Sequence, residues 1–209
     1  MLLRINTEIK LDQKKIYRRM KVSEAMTNVM DQYYQTLLVE IQEAVEVEAV
    51  CLIEEDSLTF DIVESDSCKK KAYCYVNIGS KVVEILKGYF AGKQYMLGYL
   101  LNEMLGETIM QVASQLRLEM MKSLSEGENL TVRYSPGEKG FPLEKQKMIY
   151  EKLQGKTKLS GELNDSYMIV PDKAMMFVYG IGRHLPYNEV DHECTRCTGN
   201  RLCPYRTGY

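Results

Sequence analysis

The sequence predicts an α+β fold, with a largely antiparallel sheet covered by helices, and two observations carry the prediction. Stretches with a three- and four-residue apolar period come in groups, and so do short runs of β-forming residues. The two kinds do not alternate strictly, as parallel βαβ units require. A length of 209 residues with 45% apolar residues supplies enough material for a sizeable core.

Glu8 to Leu11 form a short opening segment, and Ser23 stands where it can cap a long helix. In that helix Val29, Met30, Tyr33, Leu37, Leu38, Ile41 and Val45 recur at helical steps, with Asp31, Gln32, Gln35 and Glu40 between them. From Val50 the period changes. The run to Glu54, a polar Glu55-Asp56-Ser57 and the alternating Leu58, Phe60 and Ile62 predict a β-hairpin.

Ala72 to Ile78 (AYCYVNI) predicts a buried strand that stops at Gly79. Val82 to Tyr89 gives a short helix, and Tyr95 to Met121 a long one. Leu130 to Tyr134 is a strand feeding a loop, and Leu143 opens a helix that ends near Gly155. Tyr167 to Val170 and Ala174 to Tyr179 are two more β-like runs, the second ended by Gly180 and Gly182. No repeat and no linker interrupts residues 1–183, which form one domain. Residues 184–209 are a polar, cysteine-rich appendix.

A formal net charge of −2 gives no overall field to hold nucleic acid or an anionic membrane. No apolar run approaches the roughly 18 residues of a membrane span, and the N-terminus turns polar too soon for a secretion signal. A cytoplasmic protein is expected. Its six cysteines then imply reduced thiols or a metal site rather than a disulfide framework.

Two segments carry candidate chemistry. In the loop Arg133-Tyr-Ser-Pro-Gly-Glu-Lys-Gly-Phe-Pro142, Gly137 and Gly140 allow close approach of the backbone, and Pro136 and Pro142 fix φ. Turn and helix-start N–H groups there are free, on this reading, to meet an anion or polar ligand. Arg133 at the root suits a carboxylate, because guanidinium makes two parallel charge-assisted hydrogen bonds. The same glycines and prolines also suit a strand–turn–helix connection for geometry alone.

The second segment is the tail, where Cys194, Cys197 and Cys203 are spaced C-x2-C-x5-C. The first pair has the spacing of two sulfurs sharing one metal, and Gly199 and Asn200 let the chain double back to deliver a third. Zinc, an iron–sulfur cluster and idle thiols all remain open. Cys51, Cys68 and Cys74 fall in or near strands and read as core thiols.

The loop resembles the R-x-x-P-G-Y-P signature of the activation domain of cobalamin-dependent methionine synthase, and more closely the R-[FY]-S-P-G-Y-G-D-F-P-L-E form of free-standing relatives. Glu8-Ile-Lys-Leu-Asp12 with Arg18 or Arg19 beyond it, Asn77-Ile-Gly-Ser80, and Ser166 to Lys173 ahead of Gly180 are similar to the same relatives in the same order, as is the cysteine-rich tail. The resemblance implies a twisted antiparallel sheet covered by helices, with S-adenosylmethionine lying along the loop. It implies that Arg133 meets the ligand, that backbone at Ser135, Pro136 and Gly137 meets its adenosyl and methionine parts, and that Tyr179 lies near the site. Glu138 replaces the family tyrosine there, and the acidic residue of the family's central helix has no secure match among residues 102–111.

The implied activity is accessory: reductive methylation of an inactive corrinoid, with the corrinoid supplied by a partner's module and the electron by a donor protein. No D-x-H-x-x-G corrinoid motif occurs in this chain. The protein is thus expected to be a component of a methyltransferase of the methionine synthase type rather than a self-contained enzyme. The alternatives are a ligand-binding or sensor module with a remodelled pocket, and a corrinoid methyltransferase component for another substrate. If Arg133 serves the ligand rather than the core, its substitution is expected to leave the melting temperature near wild type.

Overall fold

A computed structural model describes residues 1–5, 7–56, 68–183, 185–187, 191–192, 194 and 203. Its centre is a five-stranded sheet of β1 (Leu2–Ile5), β2 (Glu48–Glu55), β3 (Lys70–Asn77), β7 (Ala174–Arg183) and β4 (Glu128–Leu130), in the order β1-β2-β3-β7-β4. Every pairing in it is antiparallel. A small second sheet pairs β5 (Glu162–Leu163) with β6 (Ile169–Val170).

Alternation along the central strands sends side chains to two buried faces. Cys51, Cys74, Phe177 and Tyr179 face a layer made by helices α2 (Thr27–Ala44), α3 (Lys81–Ala91) and α4 (Tyr95–Ser123). Val50, Leu52, Tyr73, Tyr75 and Val178 face the other way, against Ile149 and Leu153 of α5 (Lys145–Gln154) together with Phe141, Leu159 and Ile169. The sheet is therefore covered on both sides, and β2, β3 and β7 read as nearly continuous apolar runs for that reason. The predicted α+β class, a largely antiparallel sheet covered by helices, is the fold observed.

Several local expectations change. The hairpin beginning at Val50 is not how β2 is paired: Leu52, Cys51 and Val50 lie opposite Leu2, Leu3 and Arg4 on one side, and opposite Tyr73, Cys74 and Tyr75 on the other. Leu58, Phe60 and Ile62 lie outside the described residues. Three elements went unpredicted, one of them the two-residue strand β5. The strand β1 is only four residues long, and helix α1 (Gln13–Met20) is mostly polar, with Ile16 as its one buried residue.

Ser23 precedes a short 3-10 turn, Glu24–Met26, and makes no side-chain cap. Asp12 is a working cap instead, its carboxylate accepting from the backbone N–H of Lys15 at 3.0 Å. Gly180 and Gly182 do not end β7, which runs on to Arg183 by pairing with β4. The strand expected over Leu130–Tyr134 breaks after Leu130, where the Thr131 hydroxyl accepts the N–H of Gly180 at 2.9 Å. Ladder contact resumes where Tyr134 meets Val178.

Candidate functional site

The loop after Tyr134 consists of two linked turns. The Glu138 N–H donates to the Ser135 carbonyl at 3.2 Å, with Pro136 at the second turn position and Gly137, at φ +94°, in the third. Those are the residues a type II turn selects. The Phe141 N–H then donates to the Glu138 carbonyl at 2.9 Å across Gly140, at φ +82°, and the Gly137 N–H donates to the Phe141 carbonyl at 2.7 Å. Phe141 anchors the loop in the core, 1% exposed. The N–H groups of Gly137, Glu138 and Phe141 are thus engaged within the loop, contrary to the expectation that its turns offer them to a ligand.

Arg133 is 4% exposed. Its guanidinium lies over the Phe177 ring, 5.5 Å from the centroid, and its Nη1 is 3.3 Å from Asp191 Oδ2. Two further groups converge on the same carboxylate. The Tyr179 hydroxyl donates to Asp191 Oδ1 at 2.6 Å, and Arg117 of α4 brings its Nε to 3.3 Å from that oxygen. Burial pushes the Tyr179 phenol well above its ordinary pKa, with the Asp191 charge adding to the effect, so it stays a proton donor at neutral pH. Two guanidinium groups and a phenol, from three elements far apart in sequence, make one seat for a carboxylate.

The segment that supplies Asp191 is held at its backbone as well. The Arg133 N–H donates to the Asp191 carbonyl at 2.8 Å, and Arg133 and His192 form a parallel bridge, so the segment lies beside the chain at the sheet's edge. His192 Nδ1 is 3.4 Å from Glu138 Oε1, an ion pair when the imidazole is protonated. The structure therefore joins Arg133, Tyr179 and Glu138 through tail residues 191 and 192. Ser135 and Pro136 are half-buried beside them, and Gly137 is exposed.

Arg117 and Asp191 were missed in the sequence. Arg117 had a signal: it falls at helical spacing between Ala113 and Met120, both fully buried, where an arginine is out of place unless it has a partner. Asp191 had none. Of the expected thiol ligands, Cys194 and Cys203 are half-buried, and Cys197 lies outside the described residues. Among the described residues no group of three His, Cys, Asp or Glu side chains is placed to hold a metal ion.

A second ionic cluster lies on α4. Arg19 of α1 contacts Glu107 at 2.6 Å and Glu103 at 3.3 Å, and Lys15 contacts Glu107 at 2.8 Å. Two carboxylates of the 102–111 region thus turn inward to bind α1, which explains how so polar a helix docks. No helix among the described residues is long and apolar enough to cross a membrane.

This architecture defines a class: α+β domains with a strongly curled antiparallel sheet and helices packed on it. Within that class the chain is similar to a solved structure described as the MetH reactivation domain bound to AdoHcy, with a TM-score of 0.55 and 11% sequence identity over 86% of this chain and 72% of that one. The likeness shows a shared fold. No family model and no curated protein matches the sequence.

Proposed function

We propose that the protein is an accessory reactivation factor for a corrinoid methyltransferase of the methionine synthase type, binding S-adenosylmethionine at the Arg133 site. The observation that carries this reading is the convergence of Arg117, Arg133 and Tyr179 on one carboxylate beside the Ser135–Pro142 loop. It is supported by a fold shared with a domain solved with AdoHcy bound. The guanidinium pair takes the ligand's carboxylate, and the exposed turn at Gly137 runs beside its adenosyl part. Glu138, an acid at the family tyrosine's position, attracts the sulfonium charge where the two come close.

Cobalamin enters as substrate on the partner's module. A one-electron reduction by a donor protein precedes transfer of the sulfonium methyl, leaving S-adenosylhomocysteine. This chain's part is to position the methyl donor and exclude water from it. Mixing the protein with a corrinoid-bound methionine synthase module, a reductant and methyl-labelled S-adenosylmethionine should put label on the corrinoid. Labelling no faster than in the absence of this protein rejects the reading.

The tail thiols Cys194, Cys197 and Cys203 are proposed ligands of zinc or an iron–sulfur cluster, on their spacing. Metal analysis of protein purified without oxygen should find one zinc or a coloured iron centre, and metal-free protein with full activity returns them to idle thiols. A second functional reading is a sensor module with a remodelled pocket. It is favoured by the loop's engaged N–H groups and by the Glu138–His192 contact.

A further inference from the structure

We propose that Asp191 is a built-in competitor for the ligand, a displaceable strap whose carboxylate occupies the seat of Arg117, Arg133 and Tyr179 until a ligand carboxylate takes it. The inference deepens the binding reading above and rests on it. Its first ground is chemical identity. The Asp191 side chain offers the same group as the amino-acid end of S-adenosylmethionine, and it meets the same three donors.

The second ground is imperfect fit. Both guanidinium contacts are 3.3 Å long, beyond the 2.7–2.9 Å of a good charge-assisted bond. Arg133 Nε is buried with no hydrogen-bond partner among the described residues, and so is Asp191 Oδ2. The ion pair between Arg133 Nη1 and Asp191 Oδ2 is thus a single long contact and not the two-pronged one that a guanidinium and a carboxylate can make. A free carboxylate, not tied to a backbone bonded at Arg133, is able to turn and make both prongs.

The third ground is partial exposure. The Asp191 side chain is 19% exposed, so water reaches the carboxylate in its seat. A tethered competitor acts as a local concentration of carboxylate and divides the apparent affinity by the fraction of time the seat is open. Reciprocity then requires the ligand to loosen the strap.

The test compares S-adenosylmethionine with 5′-methylthioadenosine, which lacks the carboxylate, by calorimetry on wild type, Asp191→Asn and Asp191→Ala. Removing the competing charge should tighten S-adenosylmethionine binding about fivefold or more in both variants, and leave methylthioadenosine binding unchanged. On wild type, S-adenosylmethionine should also speed hydrogen exchange at the Arg133 amide, which loses its Asp191 carbonyl partner. Thermal melts of each variant establish that it is folded at the titration temperature. Equal or weaker S-adenosylmethionine binding by folded Asp191→Asn overturns the strap while leaving the binding reading intact. Failure of every protein, including the variants with the seat vacated, to bind at millimolar ligand overturns the binding reading and the strap with it.

Discussion

Arg133→Ala should lower the free energy of unfolding by about 3 kcal/mol in a urea titration, because it strands a buried carboxylate. This replaces the expectation, drawn from the sequence, that the variant melts near wild type. In the structure Arg133 is packed into the core. It is 4% exposed, stacked on Phe177 and paired with Asp191. The low end of the range for breaking a buried pair applies, since Asp191 keeps Arg117 and Tyr179. Arg133→Lys should recover part of the loss, because it keeps the charge without the planar fork. A double-mutant cycle with Asp191→Ala should give a coupling of about 1 kcal/mol or more. A cycle that closes at zero would show that Arg133 and Asp191 are neighbours without interaction.

Asn77→Ala should cost about 2–3 kcal/mol by the same measurement, although Asn77 is far from the candidate ligand site in sequence and touches no part of it. Asn77 is 1% exposed. Its Nδ2 donates to the Tyr75 hydroxyl and the Ser160 hydroxyl, both at 2.9 Å, and its Oδ1 accepts the Gly79 N–H at 3.0 Å. Tyr75 in turn accepts the Gly161 N–H at 3.0 Å. Alanine leaves a buried N–H without its acceptor and weakens the tie between β3 and the Ser160–Gly161 turn. Gly79, at φ +93°, depends on that bond to hold the sharp exit into α3. Asn77→Asp keeps the acceptor but buries a charge in place of the donors, so it should cost at least as much as alanine. A loss below 0.5 kcal/mol for alanine would mean that the network is replaced by water.

Most of the helices and the central strands were legible because their faces are buried continuously. Tyr95–Ser123 buries Leu100, Leu101, Met104, Leu105, Val112 and Leu116 at regular spacing, and the buried polar residues Glu107, Thr108 and Arg117 interrupt that stripe without hiding its period. Elements held by partners distant in sequence were not legible. Polar α1 is fixed by Arg19 and Lys15 on Glu103 and Glu107, and β1 is four residues that exist only because β2 has an open edge. In the candidate site, Arg133 could be picked out from the loop itself, and Glu138 and Tyr179 only through the family resemblance. What joins them is Asp191, which lies 58 positions after Arg133, and no spacing rule connects such positions. The glycines illustrate both sides of this. Gly137 and Gly140 were read as permitting ligand approach, and they first serve two tight turns.

The central claim, that the edge of the sheet at Arg133 receives the amino-acid end of an S-adenosyl ligand, is tested most directly by a crystal structure with S-adenosylhomocysteine. The account predicts the ligand carboxylate between the guanidinium groups of Arg117 and Arg133, within hydrogen-bond distance of the Tyr179 hydroxyl, with Asp191 moved out of that seat. A ligand found elsewhere, with Asp191 still paired to Arg133 and Arg117, would contradict it.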